Sequence, residues 1–548
     1  MPTPACPTEL NQTGWLCCPL MKRRPALRAR RPSRLRGRRR WGTVVLTALA
    51  VLGNGRSQAQ GPRGFPFGLG PVLPARPLFA PPCAAPQSRL QRAVWEATAA
   101  GGTGTDLSCA NAFVDLPRTP RGPGLTHDAF DDLAAQIRAA HSEVLVANMQ
   151  WDFGLGLPGS TVVAGVADLY ARVKADPAAY PQGMAVRFSL GGYPDLVRTV
   201  DGATQALSLA RDLRLRGVPL DDPALGWRVS ILNYPYFPHS HVKLHVIDGQ
   251  DLTVGSYNMS WTQLPRAEGG NSQHDTGLHL RGPVAQAGVA AFDDLWRHSQ
   301  QLHCPPEVLP VEVFDRCSLG QAEPPSHPLA ARLALPAGQA RAYLLYRRPG
   351  DDQGDRAHLA LIGAAQRSIE LMQVDFSPEP ACWGAQAGPD GCGADSPGFP
   401  VYLRALLSAM ERGVHVRVLL MPNSAGIERP GNRAGVALLR AEARRRGLEH
   451  LFEARYVTYT MHDKTVTFDH ELALVGSMNF HFSAWGPLGL NEAALVTDDP
   501  QAVAEQDATF ERVWQSDTLS RPVPQEWWLK FVRVNRDASS AVSLPSLH

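Results

Sequence analysis

His241-Val-Lys243-Leu-His245-Val-Ile-Asp248, six intervening residues and Gly255-Ser256-Tyr-Asn258 form one stretch of this chain. His462-Asp-Lys464-Thr-Val-Thr-Phe-Asp469, six intervening residues and Gly476-Ser477-Met-Asn479 form a second, 221 residues further on, with the same spacing at every position. On a strand, residues two apart project from one face, about 6.6 Å from each other. Each copy therefore presents an imidazole beside an ammonium. Ser256 with Asn258, and Ser477 with Asn479, add a hydroxyl and a carboxamide at the same spacing, and a glycine ahead of each serine lets the backbone turn into a strand. An imidazole can attack or donate a proton while the other groups neutralise phosphoryl oxygens, so the set suits an anionic phosphodiester. A carboxylate follows each copy, Asp275 in Gln273-His-Asp-Thr-Gly-Leu278 and Glu492 in Leu490-Asn-Glu-Ala-Ala-Leu495. Either is placed to orient an imidazole and fix its tautomer.

The repeat extends outward from these stretches. Phe130, Leu133 and Ile137 fall at helical spacing, then come Val144-Leu-Val-Ala147 and Gln150-Trp-Asp152-Phe153. The second half restarts with Leu359, Ile362 and Ala365, then Ile369-Glu-Leu-Met372 and Gln373-Val-Asp375-Phe376. Each half continues with a helix (166–173; 402–412), a strand (185–190; 414–420), another helix (202–216; 434–446) and a strand entering the His-x-Lys segment. Near the ends Phe292-x3-Trp296 matches Phe510-x3-Trp514. This alternation predicts an α/β fold of two pseudo-symmetric halves, each a mixed sheet flanked by helices, at 127–303 and 341–520. A Pro-rich linker (304–340) joins them. A Pro/Gly-rich N-terminal extension (60–126), with one helical stretch near 88–99, is expected to pack on the surface. An irregular Gly/Pro/Cys insertion carrying Trp383 falls at 379–400, and a C-terminal tail at 521–548.

Residues 1–59 read as a secretory signal peptide. Eleven Lys or Arg between 22 and 40 precede the short apolar run Trp41 to Leu52, and Ser57-Gln-Ala59 supplies the small residues of a cleavage site. Initiation at Met21 fits the same pattern, and about 12 apolar residues fall short of the ~20 that a spanning helix needs. The chain is therefore expected to be secreted, or periplasmic and in the cell envelope, after cleavage near Ala59. Loss of this leader removes twelve basic residues and one acidic residue, turning the formal charge from +3 to −8. A generic nucleic-acid binder would show a basic excess, which the mature chain lacks. Six cysteines remain, and their short separations favour the disulfides Cys83–Cys109, Cys304–Cys317 and Cys382–Cys392 among 15 pairings.

The pattern H-x-K-x4-D-x6-G-S-x-N, found twice, resembles the phospholipase D superfamily, the HKD phosphodiesterases. The resemblance implies that the halves pack about a pseudo-two-fold axis and share one active site. His241, His462, Lys243, Lys464, Asn258 and Asn479 are the catalytic candidates, supported by Asp275, Glu492, Ser256 and Ser477. One neutral imidazole would attack phosphorus to give a phosphohistidine while the other protonates the leaving oxygen and later deprotonates water or an alcohol. From the residues alone the two roles are interchangeable; resemblance to secreted bacterial phospholipases D favours His241 as the nucleophile. Asp248 and Asp469 lie an odd five residues from their lysines, so they should face away from the imidazoles, and the resemblance gives them a structural role.

His239, His241 and His245 would suit zinc by composition, but the second copy keeps only His462, and a lysine between ligands would repel a cation. No metal or cofactor is expected. The activity implied is a secreted phospholipase D-type phosphodiesterase that hydrolyses or transfers the headgroup of phospholipids. The alternatives are an extracellular nuclease of the same family acting on DNA or RNA, and a cardiolipin synthase-like phosphatidyl transferase. Tyr234, Tyr236, Phe237, Trp261, Phe480, Phe482 and Trp485 near the motifs fit a lipid, and aromatic platforms would also stack bases. The expected partners are a phospholipid or other phosphodiester, a transient membrane-surface contact and, in the alternative, nucleic acid. A monomer is expected.

Overall fold

The computed structural model describes residues 83–524 except 100–106, 122–126, 153, 194–201, 236–237, 383–391, 397, 425–426 and 429. The leader at 1–59, Tyr236, Phe237, Trp383 and the end of the tail lie outside the described residues. The first half contributes strands β1 (Ala112–Asp115), β2 (Glu143–Asn148), β3 (Met184–Leu190), β4 (Trp227–Asn233), β5 (Leu244–Ile247), β6 (Asp251–Gly255), β7 (Asp275–Arg281) and β8 (Gln300–His303). The second contributes β9 (Ala342–Arg347), β10 (Ser368–Gln373), β11 (His415–Leu420), β12 (Phe452–Val457), β13 (Lys464–Phe468), β14 (Leu472–Gly476), β15 (Glu492–Thr497) and β16 (Ser520–Pro522). The sheet orders are β1-β7-β6-β5-β2-β3-β4-β8 and β9-β15-β14-β13-β10-β11-β12-β16, the same order twice. Both sheets are mixed: β2, β3 and β4 run parallel, as do β10, β11 and β12, while β5 and β13 join them antiparallel.

The longer helices are α1 (Arg89–Ala99), α2 (Ala129–Ala139), α3 (Pro158–Ala175), α4 (Gly202–Leu215), α5 (Ala285–Arg297), α6 (Gln353–Ala364), α7 (Val401–Glu411), α8 (Pro430–Arg445) and α9 (Pro500–Trp514). Leu133, Ile137, Val163 and Val166 of α2 and α3 pack on Val144, Val146, Val186 and Phe188. Leu361, Leu403 and Leu407 of α6 and α7 pack on Ile369, Leu371, Val416 and Val418. A third cluster joins the halves, bringing Leu244, Val246, Leu252, Val254 and Leu278 against Leu344, Val475, Ala493 and Leu495. The central strands are buried on both faces, which is why they read as apolar runs rather than as clean alternation.

The first sheet runs beyond the 127–303 read from the sequence. It takes β1 and Arg118–Thr119 from the extension, both paired to β7, and Ser318–Gln321 from the linker, paired to β8. These strands are two to four residues long, and their pairing lies with distant residues, so Pro/Gly-rich flanks conceal them. The linker is also fastened: His327 bridges Glu143 (2.8 Å) and Asp293 (2.7 Å), and Gln286 Nε2 donates to Ala331 O at 2.9 Å. Helix α1 of the extension buries Leu90 and Val94 in the core of the second half.

The pairs Cys83–Cys109, Cys304–Cys317 and Cys382–Cys392 are bonded, with Cα separations of 5.8, 4.4 and 6.0 Å. Among the described residues no helix is long and apolar enough to cross a membrane.

Candidate active site

The two motifs meet at the seam between the halves. Ser240 forms a parallel bridge with Asn491, and Met461 forms the equivalent bridge with His274. His241 N donates to Asn491 O at 2.9 Å, and His462 N donates to His274 O at 2.7 Å. Each histidine is thus anchored by the backbone of the opposite half. The side chains cross the seam in the same sense. His241 Nδ1 lies 2.8 Å from Glu492 Oε2, and His462 Nδ1 lies 2.8 Å from Asp275 Oδ1. With a carboxylate as acceptor, Nδ1 carries the hydrogen and Nε2 keeps its lone pair for chemistry. The exchange of carboxylates between halves was not legible in the spacing, which places Asp275 and Glu492 downstream of their own motifs.

His241 and Lys243 lead into β5, and His462 leads into β13, so the histidines sit just ahead of their strands rather than within them. Lys243 Nζ donates to His241 O at 2.9 Å; Lys464 Nζ donates to His462 O at 2.7 Å and lies 2.9 Å from His462 Nε2. The glycines differ from expectation: Gly255 and Gly476 close β6 and β14, so the Gly-Ser-x-Asn segment leaves a strand instead of entering one. They are needed for close approach. A Cβ on Gly255 would come within 2.7 Å of the Tyr257 ring, and one on Gly476 within 2.5 Å of Ala493 O.

The serines serve the carboxylates. Ser477 Oγ donates to Glu492 Oε2 at 2.5 Å, whereas Ser256 Oγ donates to Thr276 O at 3.2 Å and helps hold Asp275 below its ordinary range. Asn258 is buried and Asn479 half-buried two residues beyond, each with Oδ1 lacking a hydrogen-bond partner among the described residues. Gln263 Nε2 (2.8 Å) and Gln273 Nε2 (3.3 Å) both donate to Asp275 Oδ2. His274 Nδ1 lies 2.7 Å from Asp463 Oδ2. Sequence reasoning missed Gln263, Gln273, His274 and Asp463. Only the adjacency of His274 to Asp275, and of Asp463 to His462, pointed to the last two.

Asp248 and Asp469 face away from this chemistry. Asp248 accepts from the backbone N–H groups of His141 (2.9 Å), Ser142 (2.7 Å) and Glu143 (3.0 Å). Asp469 accepts from those of Gln366 (2.8 Å), Arg367 (2.7 Å) and Ser368 (2.9 Å). Both adopt left-handed backbone, at φ 53° and 54°, so each fastens the turn after β5 or β13 to the start of β2 or β10.

Burial dominates the electrostatics. It pushes His241 well below its ordinary range, helped by Lys243 and Lys464, and pushes Glu492 up to about 8 against the pull of Lys243. Burial thus disfavours the charged form of both partners in this pair. For Asp275, burial works upward, but the charge and hydrogen bond of His462 and the charge of Lys464 outweigh it and keep the carboxylate below its ordinary range. His462 is lowered by burial and Lys464, with Asp275 opposing. Lys243 falls well below its ordinary value by burial and by Lys464, and burial brings Lys464 down to about 8. The two histidine–carboxylate pairs are alike in geometry, while burial raises Glu492 and the neighbouring cations lower Asp275.

His239 stacks edge-on to Tyr193 at 5.0 Å and is lowered to about 4 by burial and Lys243, while His245 is buried within β5 and lowered to about 3 by burial and His279. Away from the seam, Glu370, His470 and Asp507 bring one ligand atom each within 4.8 Å. There Arg417 already pairs with Glu370, and His470 Nδ1 bonds Asp507 at 2.9 Å, so the charges are met by the protein itself. Of the aromatics near the motifs, Tyr234, Phe480 and Trp485 are core residues, the last two packed with Tyr402; Trp261 and Phe482 are exposed.

Residues 359–514 match the family model described as cardiolipin synthase, PLD-like domain. Cardiolipin synthase A of Pseudomonas aeruginosa is 26% identical over 276 residues, which are 50% of this chain and 46% of that protein; the chain spans about half the length of the curated relatives it matches. The crystal structure of phosphatidylserine synthase from Haemophilus influenzae superposes with a TM-score of 0.50 at 14% identity, covering 78% of this chain and 92% of the other. That likeness shows a shared fold.

Proposed function

The chain belongs to the phospholipase D superfamily, and from that premise we propose that it cleaves a phospholipid phosphodiester through a phosphohistidine and passes the phosphatidyl group to an alcohol or to water. The observation that carries this reading is the reciprocal pairing of His241 with Glu492 and His462 with Asp275 across one seam. His241, with Nδ1 bonded to Glu492, offers the Nε2 lone pair to phosphorus. As the N–P bond forms, the P–O bond to the leaving group breaks, and protonated His462 gives its proton to the departing oxygen. An anionic substrate draws Lys464 toward its phosphoryl oxygens. This relieves the repulsion on His462, which can then hold a proton beside ionised Asp275. In the second step His462 takes the proton of the incoming hydroxyl, that oxygen bonds phosphorus, and the N–P bond breaks. Lys243, Lys464, Asn258 and Asn479 neutralise the charge that develops on the phosphoryl oxygens.

The relatives weigh the acceptor toward an alcohol. The matching family model and the curated relatives named above are cardiolipin synthases by name, which favours transfer over hydrolysis between the two outcomes that the motif left open. Work outside the cytoplasm, in the envelope or beyond it, rests on the leader pattern and the three cysteine pairs. The test offers purified protein phosphatidylcholine, phosphatidylglycerol and single-stranded DNA in parallel, with and without a primary alcohol. Release of choline or glycerol, with product diverted to a phosphatidyl alcohol when the alcohol is present, is the expected result. Degradation of DNA alone would replace the lipid reading with the nuclease one.

A further inference from the structure

The two seams around the catalytic histidines are not equal. At His241 the opposite half offers Asn491 and Glu492, and the residue after the histidine is Val242, which carries no charge. At His462 it offers His274 and Asp275, and the following residue is Asp463. His274 O accepts from His462 N at 2.7 Å while the His274 ring meets Asp463 Oδ2 at 2.7 Å. His274 N in turn donates to Thr460 O at 2.8 Å, so the residue grips the chain on both sides of Met461. Asp463 is 0% exposed, the half-buried His274 ring covers it, and the Tyr459 ring lies edge-on 5.8 Å from that of His274. A buried ion pair is a poor source of stability, because desolvating two charges offsets their attraction. Stability alone therefore gives no reason for replacing the valine of one seam by a charged pair in the other.

A difference in the tasks of the two histidines does. A nucleophile is fixed by the bond it forms, whereas an acid that becomes a base must stay in register with first a departing and then an arriving oxygen. We propose that His274 and Asp463 are positioning residues that hold His462 in register for proton transfer, a role with no counterpart at His241. This rests on the reading of the site given above.

The test uses the full chain and the variants His274→Gln, Asp463→Asn and the double variant. It measures turnover of the active phospholipid and the first-turnover burst from bis(p-nitrophenyl) phosphate. A p-nitrophenolate leaves without needing a proton, so its burst bypasses the acid. Each single variant should lower kcat on the phospholipid about tenfold with KM little changed, the double variant should lose no more than either single, and the nitrophenyl burst should stay within about twofold of wild type. Unchanged kcat, a multiplicative loss in the double variant, or an equal loss on both substrates would overturn the proposal. Should Asp463→Asn fail to fold, His274→Gln carries the test, since that ring is 21% exposed. A wild-type protein inactive on both substrates overturns the reading of the site itself, which is distinct from an active wild type whose variants are silent.

Discussion

In the proposed chemistry His241 and His462 do the bond-making and proton transfer, and each is bonded at 2.8 Å to a buried carboxylate of the other half. His241→Ala and His462→Ala should each reduce phosphodiester turnover by about a thousandfold or more while the protein remains folded. Headgroup release measured beside a thermal melt checks this, and near-wild-type turnover in either variant would contradict it. The lysines set the alkaline limit. Lys464, brought down to about 8 by burial, is a cation below that pH and neutral above it, so kcat/KM should fall as pH rises through about 8. Lys464→Arg, which cannot lose its charge in this range, should remove the Lys464 part of that limb and leave the part due to Glu492, also at about 8, at some cost in rate. A profile flat to pH 10 would contradict the assignment. The identities of the histidines, lysines, serines and asparagines were legible because their spacing is fixed by local strand geometry. Which carboxylate serves which histidine was not, since the 2.8 Å bond from His241 to Glu492 spans 251 residues and depends on how the halves dock.

Among the elements, β5 and β13 owe their placement to the aspartates that end them. Asp248→Ala or Asp469→Ala would leave three backbone N–H groups of the adjoining strand without their acceptor, costing about 2 kcal/mol or more in stability. Chemical denaturation should show this as a lower midpoint, with residual kcat close to wild type at low temperature. A loss of kcat without loss of stability would place these carboxylates in the chemistry instead. The alternation of helices and strands was legible along the chain, and α7 and β3 fall within one or two residues of their expected bounds. The edge strands were not, because β1 and Ser318–Gln321 take their order from β7 and β8 rather than from their own residues. The short Cys382–Cys392 loop should appear as one linked peptide in non-reducing mass mapping of protein purified without reductant, and free thiols at both positions would contradict the pairing.

At the scale of the molecule, the repeat yields two sheets of one order whose shared apolar cluster brings Leu244, Val246 and Leu278 against Val475 and Leu495. Neither half alone holds a complete site, because each histidine takes both its backbone anchor and its carboxylate from the other. The most direct measurement quenches the protein during turnover of phospholipid and maps the acid-labile phosphatidyl adduct by mass. The account predicts the adduct on the peptide carrying His241, absent from His241→Ala and strongly reduced in Glu492→Gln, although Glu492 belongs to the other half. An adduct on His462, or one on His241 that Glu492→Gln leaves at wild-type level, would contradict it.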